Sequence, residues 1–281
     1  RSNTNVTVQH IEQGHVFDLE IHVYYEQEHA SVRIVDTHTN IVQIEKNWQV
    51  IFEDKTTSLE LKADHSALIM KQIWDFSQTV DIDDVKEILD RQITCNMAIA
   101  NEGIHNSYGA NIGHVILNMD SDCVKTKAKA YAAAGSDARM NGCELPVVIN
   151  SGSGNQGITC CVPVVVYAKE LDCTQEQLYR ALVLSNLTAI YIKTGIGTLS
   201  AFCGAVSAGA AAGAGIAYLH NGTYKEIQHT IVNALAILSG TICDGAKASC
   251  AAKIASSVDA GIMGYYMYKN KQQFYAGDGI V

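Results

Sequence analysis

Three cysteines in the second half of the chain have the residue type and the setting for metal chemistry. Cys203, Cys243 and Cys250 are separated by 40 and 7 residues, and they adjoin glycine, aspartate and alanine respectively. Three thiolates from separate segments are able to hold three corners of a [4Fe–4S] cluster, which leaves the fourth iron open as a Lewis acid. Spacing alone leaves two alternatives, three buried structural thiols or a zinc site, because both also use cysteine.

A glycine-rich loop supplies a second candidate site. The segment NSGSGNQG at residues 150–157 lies in a stretch without charged residues and precedes a predicted helix. Exposed backbone N–H groups at a helix N-terminus bind anions. The loop lacks the Gly-Lys-Ser/Thr ending of a nucleotide-binding P-loop. We therefore expect Ser151, Gly152, Ser153 and Asn155 to bind a substrate carboxylate, with an ordinary turn between helices as the alternative.

Four further side chains are candidates for acid–base chemistry or substrate binding. Lys193 lies between two uncharged stretches and is a candidate general base, or else an ordinary solvated lysine at a helix end. His105 and His38 are candidate acid–base groups, and ordinary loop histidines are the alternative. Arg139 is a candidate for binding substrate, or a member of a helix-end ion pair with Asp137.

The sequence around these residues resembles a known family. The segments SDARMNGCELP (136–146), NSGSGNQG (150–157), IGTLSAFCG (196–204) and ICDGAKASC (242–250) resemble the L-cysteine desulfidase family, which is related to the iron–sulfur L-serine dehydratases. The resemblance extends from about residue 30 to near the C-terminus. It implies that Cys203, Cys243 and Cys250 hold a [4Fe–4S] cluster. It also implies an α,β-elimination that converts L-cysteine and water to pyruvate, ammonia and sulfide.

Alternatives to this activity remain. L-serine dehydration uses the same mechanism, and no residue of the chain decides between a hydroxyl and a thiol on the substrate. A non-catalytic amino-acid-binding protein is a hypothesis from another class. The resembling family also carries an earlier Gly-Cys-Thr-Glu motif that is absent here, and the chain starts Arg1-Ser-Asn-Thr. We therefore expect a C-terminal fragment of a longer protein, in which a catalytic group could be missing.

Composition excludes several classes of protein. The net charge of −9 argues against nucleic acid as a partner, since phosphate binding needs a basic surface. Nine cysteines, an odd number that does not cluster as in a secreted disulfide scaffold, indicate a reducing cytoplasm. The uncharged segment Ala201–Leu219 has the length of a membrane span but is mostly Ala and Gly, so we expect a buried helix and no membrane. A small-molecule amino acid is the expected partner, and the Ala/Gly-rich helices allow a homo-oligomer.

The predicted fold class is α+β. Alternation of apolar and polar residues in 1–56 predicts an antiparallel meander of four or five strands with one buried face, including a strand at Val6–Ile11. His10, His15, His22 and His29 are interpreted as surface groups of this portion. Residues 57–281 are predicted to form a mostly buried helical domain that holds the cluster. Its predicted helices span residues 64–77, 81–100, 105–117, 121–134, 158–167, 174–192, 201–219, 224–238 and 250–269, with Gly135 ending the fourth and Pro163 near the start of the fifth.

Overall fold

The computed structural model describes residues 4–11, 15, 17–36, 40–54, 64–197 and 200–278. The chain divides into two compact units, Arg1–Ala63 and Asp64–Val281. The first contains a β-sheet and the second is helical, which confirms the α+β class.

The first unit contains a four-stranded antiparallel sheet with the order β1-β2-β3-β4. The strands are β1 Asp18–Tyr25, β2 Glu28–Val35, β3 Ile41–Lys46 and β4 Gln49–Glu53. Short turns join β1 to β2 and β3 to β4, and the second turn places Asn47 and Trp48 in the left-handed region, with φ of 50° and 67°. The strand predicted at Val6–Ile11 was wrong, because these residues take no regular structure.

The two faces of the sheet differ in composition, as the alternation predicted, but the apolar face is not buried. Leu19, Ile21 and Val23 lie on it and are 40%, 51% and 60% exposed. His29, Ser31 and Val35 on the other face are buried. Period-two alternation shows which residues share a face, but it does not show which face other atoms cover.

Nine α-helices make up the described part of the second unit, after a single 3₁₀ turn at His65–Ala67. They are α1 Met70–Thr79, α2 Ile82–His105, α3 Ile112–Met119, α4 Val124–Met140, α5 Gly154–Glu170, α6 Gln175–Ile196, α7 Gly204–Leu219, α8 Tyr224–Leu238 and α9 Ser249–Lys269. Side-chain caps define several starts, and Thr174 and Thr223 each form a complete capping box.

Several predicted helix boundaries were wrong, because α1 begins at Met70 and not at residue 64, α2 continues to His105 and does not end at residue 100, and α3 begins at Ile112 and not at residue 105. Gly135 does not end α4, because it is buried inside the helix, where a Cβ would lie 3.4 Å from the backbone of Ala100. It allows close helix packing rather than a turn. Pro163 lies in the middle of α5, whose start is instead set by Ser153, the N-cap residue that accepts a hydrogen bond from the Gln156 N–H.

The core of the helical unit is centred on α7, which is buried over almost its whole length. A Cβ on Gly213 would lie 2.6 Å from the Gly261 carbonyl oxygen, so the backbones of α7 and α9 are in direct contact. The expectation that the uncharged Ala/Gly-rich segment forms a buried helix is therefore confirmed. In the described ranges, the structure has no helix with the length and apolar character needed to cross a bilayer.

Candidate active site at three helix N-termini

Two of the three candidate cysteine segments lie side by side. Cys203 is the N-cap residue of α7, and its N–H donates to the Thr241 carbonyl at 3.3 Å. In return, the Cys243 N–H donates to the Ala201 carbonyl at 2.7 Å. These bonds form an antiparallel bridge between Phe202 and Ile242. Residues 40 apart in sequence are thus held together by backbone pairing, not only by packing.

The third cysteine is linked to the same place through Lys253. Cys250 is in the first turn of α9, and the Lys253 ammonium group, three residues later, donates to the Ile242 carbonyl at 3.1 Å and to the Asp244 carboxylate. The pKa of Lys253 is raised, mainly by its hydrogen bond to Asp244, and also by the nearby Cys203 and Cys250 thiols. Lys253 therefore joins the segments of all three cysteines.

The three thiols differ in exposure. Cys203 is 7% exposed, Cys250 is half-buried and Cys243 is exposed. Burial raises the pKa of the Cys203 thiol, while the backbone N–H groups of Ala205 and Val206 and the Lys253 charge act in the opposite direction. A helix N-terminus and a nearby lysine favour the thiolate, the form in which cysteine binds metals.

The glycine-rich loop forms a tight turn before α5. The Asn150 and Ser153 backbones pair through hydrogen bonds of 3.1 and 3.0 Å. Ser151 and Gly152 between them have φ of 48° and 77°, in the left-handed region. Ser153 then caps α5, so Gly154 and Asn155 occupy the first helical positions, where backbone N–H groups lack helical acceptors.

Arg139, in the last turn of α4, packs directly against this loop. Its Nη1 donates to Asn155 Oδ1 at 3.3 Å, and a Cβ on Gly154 would lie 2.3 Å from its Nε. Burial lowers the pKa of Arg139, and the nearby Cys250 thiol partly opposes this effect. The Arg139 guanidinium thus lies between the loop and the third cysteine, and it offers planar donors of the kind that bind carboxylates.

Sequence reasoning missed Gln156, which completes the contact between α5 and α7. A Cβ on Gly204, the residue after Cys203, would lie 2.5 Å from Gln156 Nε2. Gln156 is 5% exposed, and its Oε1 has no hydrogen-bond donor among the described residues. A buried acceptor without a donor lowers the stability of the folded protein unless a ligand supplies the hydrogen bond. The only sequence signal was its place inside the NSGSGNQG segment.

Lys253 was also missed, although its position three residues after Cys250 places both on one side of α9.

Among the predicted acid–base groups, His105 is exposed at the end of α2, and its Nδ1 lies 2.7 Å from the Asn101 carbonyl oxygen. Lys193 is half-buried in the last turn of α6. Within the described ranges, no hydrogen bond or ion pair links the side chain of either residue to the cysteines or the loop. His38 lies outside the described residues.

The donor set suits an iron–sulfur cluster, because three cysteine thiols are the ligand type that such clusters use. The segments carrying Cys203, Cys243 and Cys250 are neighbours in the structure. In the side-chain positions of the described residues, no three His, Cys, Asp or Glu groups surround one point closely enough to hold a single metal ion. Holding a cluster would require rotation of these side chains, and Cys243, in an exposed glycine-containing turn, has room to do so.

Comparison with known proteins places this α+β chain in a family. The family model described as serine dehydratase alpha chain matches residues 19–281, and the chain belongs to that family. It is similar to a UPF0597 protein of Desulfitobacterium hafniense (strain Y51), with 55% identity over 282 residues that cover 100% of this chain and 66% of the relative. It is also similar to UPF0597 proteins of Finegoldia magna (51% identity, 94% of this chain, 64% of the relative) and Fusobacterium nucleatum (41%, 95% and 66%).

The chain spans slightly less than two thirds of the length of these relatives. The expectation of a C-terminal fragment stays a prediction. No solved structure matches the chain.

Proposed function

We propose that the protein is an iron–sulfur-dependent lyase that performs α,β-elimination on L-cysteine, giving pyruvate, ammonia and sulfide. The observation that carries the proposal is the Phe202–Ile242 bridge, which brings the Cys203 and Cys243 segments together beside the Cys250 helix. Cys203, Cys243 and Cys250 are the proposed ligands of a [4Fe–4S] cluster. When bound, such a cluster supplies an open, Lewis-acidic iron close to the substrate's leaving group.

The residues of the chain bind and orient the amino acid. Arg139 and the N-terminus of α5 form a positive environment for the α-carboxylate, with Asn155 holding the guanidinium. Ser151, Gly152 and Ser153 shape the turn that presents the backbone N–H groups. The unpartnered Gln156 Oε1 accepts a hydrogen bond from the substrate's ammonium group. Fixing both ends of the amino acid limits the directions in which its β-substituent points.

We propose that Lys193, His105 or His38 is the base that removes the α-proton. A general base must come within hydrogen-bond reach of the proton it removes. Replacing each residue singly, as Lys193→Met, His105→Gln and His38→Gln, tests the assignment. The variant that lacks the base will keep its iron and lose kcat by about 10²–10⁴-fold. Unchanged kcat in all three variants would exclude all three residues.

The cluster is tested by iron and acid-labile sulfide content and a visible spectrum after anaerobic preparation. We expect about four irons per chain, the content of one [4Fe–4S] cluster. Cys203→Ala should lose them. Cys123→Ala provides the control, because Cys123 is an exposed thiol at the start of α4. An iron-free, colourless and folded wild-type protein would contradict the proposal and favour a non-catalytic amino-acid-binding protein.

A second candidate substrate is L-serine, and the family's description as serine dehydratase alpha chain favours it. The resemblance of the four sequence segments to L-cysteine desulfidases favours L-cysteine. Pyruvate release from each amino acid by the iron-loaded protein, compared as kcat/KM, decides between them. A higher value for L-serine would replace the desulfidase assignment by dehydration without changing the proposed ligands.

A further inference from the structure

Two histidines on the polar face of the β-sheet direct ring nitrogens at each other. His22 on β1 and His29 on β2 are diagonal neighbours across the antiparallel pair, because His22 pairs with Ser31 and Tyr24 pairs with His29. The His22 Nδ1 and His29 Nε2 atoms are 3.0 Å apart. The interpretation of both residues as surface groups was wrong for His29, which is only 3% exposed.

A carboxylate fixes the orientation of the first ring. Glu20 Oε1 lies 3.0 Å from His22 Nε2, on the side of the ring away from His29. A carboxylate accepts hydrogen bonds, so Nε2 carries the proton in neutral His22 and Nδ1 presents its lone pair towards His29. In the metal sites of proteins, a carboxylate commonly accepts a hydrogen bond in this way from the histidine ring nitrogen that does not bind the metal.

The second ring is held by aromatic packing and by its backbone. The Trp48 ring stacks on His29 with centroids 4.1 Å apart, and the Tyr24 ring lies at 4.9 Å. The His29 N–H donates to Asn47 Oδ1 at 2.8 Å. Trp48 has a φ of 67°, which is unfavourable for a bulky side chain and is seen mainly where the surrounding structure enforces it. His29 Nδ1 is buried without a partner among the described residues.

We propose that His22 Nδ1 and His29 Nε2 bind a divalent transition-metal cation of the class that imidazole prefers, such as Ni²⁺ or Zn²⁺. A metal about 2.0–2.1 Å from each nitrogen would hold the two nitrogens about 3 Å apart, the separation already present. The described residues supply these two nitrogens and no group of three protein ligands, so water or a small anion completes the coordination. Both histidines belong to the first unit, whereas the three cysteines belong to the helical unit.

The competing explanation is a hydrogen bond in which His29 Nε2–H donates to His22 Nδ1 without any ion. A test must distinguish the two, and it must not report metal bound by the nine cysteines. Trp48 provides a local signal. Trp48 and Trp74 are the two tryptophans of the chain, so in a Trp74→Phe background selective excitation of tryptophan, which avoids the tyrosines, reports on Trp48 alone. A paramagnetic Ni²⁺ ion bound to His29 will quench it at close range.

The experiment is a Ni²⁺ titration of the full chain in the Trp74→Phe background, followed by competition with diamagnetic Zn²⁺. We expect saturable quenching that Zn²⁺ reverses. His22→Ala, a change at a partly exposed side chain, should abolish it. Glu20→Gln should weaken the apparent affinity about 10–100-fold, as loss of a carboxylate behind a ligating histidine does. Glu26→Gln, in the turn between β1 and β2, is the matched carboxylate control and should leave the affinity unchanged.

Two outcomes would overturn the proposal. The first is quenching that rises linearly with Ni²⁺ concentration without saturation, which indicates collisions rather than a site. The second is saturable quenching that is the same in His22→Ala and in the background protein. Either result would favour the hydrogen bond between the two histidines over a metal site.

Discussion

At the scale of single residues, Gln156 gives a prediction that separates a role in binding from a role in folding. Its buried Oε1 lacks a donor among the described residues. Gln156→Met removes an unsatisfied acceptor, so the free energy of unfolding should stay equal or rise. If the substrate's ammonium group is the missing donor, kcat/KM should fall by about 10–100-fold, the cost of one lost charged hydrogen bond. Urea unfolding and steady-state assays measure the two effects.

Gln92 is the matched control for this prediction. It is equally buried, but both ends of its amide bond to Asn186, at 2.9 and 2.8 Å. Gln92→Met removes two hydrogen bonds of the Asn186 amide, which keeps its bonds to the Leu182 carbonyl and the Asn150 side chain. It should therefore lower the free energy of unfolding by about 1–3 kcal/mol and leave kcat/KM unchanged. The same pattern in both variants would contradict a substrate-binding role for Gln156.

Arg139 gives a second residue-scale prediction. Arg139→Lys keeps the charge but removes the planar pair of donors that fits a carboxylate. We expect KM to rise about tenfold or more with little change in kcat, because carboxylate binding stabilises the substrate and the transition state alike. Arg180→Lys is the control, since Arg180 on α6 bonds to Glu176 and to the Ser77 carbonyl. An unchanged KM in Arg139→Lys would argue against carboxylate binding there.

Sequence reasoning selected some of the residues of this candidate site. The segments that carry Cys203, Cys243 and Arg139 could be selected from residue type and motif. Their placement depends on the Phe202–Ile242 bridge and on the packing of Arg139 against Gly154, both of which are contacts between distant segments. Local spacing contains no signal for such contacts. Gln156 was missed for the same reason, because an unpartnered acceptor is visible only when its surroundings are known.

At the scale of secondary structure, the crossing of α7 and α9 depends on glycine. A Cβ at position 213 would lie 2.6 Å from the Gly261 carbonyl oxygen, and this backbone atom cannot move aside alone. Gly213→Ala should therefore force the helices apart and lower the free energy of unfolding by about 1–3 kcal/mol or more. Thermal and urea unfolding of the variant measure this.

Gly195 is the control at the end of α6. A Cβ there would meet no atom within 4 Å, and the residue lies within the helix. Gly195→Ala should raise the free energy of unfolding by about 0.4–1 kcal/mol, because alanine reduces the entropy of the unfolded chain and favours helix. Equal effects of the two substitutions would show that the α7–α9 backbone contact is not important for stability.

An ion-pair cluster between α4 and α9 predicts a dependence of stability on pH. Burial raises the pKa of Asp259, but Lys129 and Lys125, with ammonium nitrogens 3.0 Å from its Oδ1, outweigh this and hold the pKa below its usual value. A carboxyl with a depressed pKa in the folded state stabilises the protein above the unfolded-state pKa of about 3.9, and this contribution is lost as the pH falls through the folded-state pKa.

Asp259→Asn should therefore lower the free energy of unfolding at neutral pH and show a smaller further loss than the unchanged protein as the pH falls below about 4. The measurement is the urea midpoint as a function of pH. Asp75→Asn is the control, because Asp75 forms an exposed pair with Lys71 on one helix, and such pairs contribute little. Parallel pH profiles for Asp259→Asn and the unchanged protein would contradict the prediction.

The observed helix boundaries show which local sequence signals are sufficient to locate the end of a helix. The predicted helices at 174–192 and 224–238 agree with α6 and α8 within a few residues, and capping boxes at Thr174 and Thr223 define where these helices begin in the structure. The boundary predicted at Gly135 failed because that glycine serves a close helix contact, which looks the same in sequence as a helix-ending glycine.

At the scale of the whole molecule, the two units differ in how much apolar surface they bury. Val35 is the one buried apolar side chain in the described residues of Arg1–Ala63, whereas the helical unit contains an extensive core around Ile158, Leu182 and Ile216. A sheet without a covered apolar face is marginally stable in water. The two units should therefore behave differently when they are produced separately.

The last prediction is that residues 64–281 alone fold cooperatively and take up iron, whereas residues 1–63 alone do not fold. Cys203, Cys243, Cys250 and Arg139 all lie in the helical unit, so the proposed ligands and the carboxylate-binding residue stay together. Urea unfolding followed by far-UV circular dichroism should give a single transition for residues 64–281, and anaerobic reconstitution should give the iron content of the full chain. A folded but iron-free helical unit, beside an iron-containing full chain, would show that the first unit contributes to cluster binding.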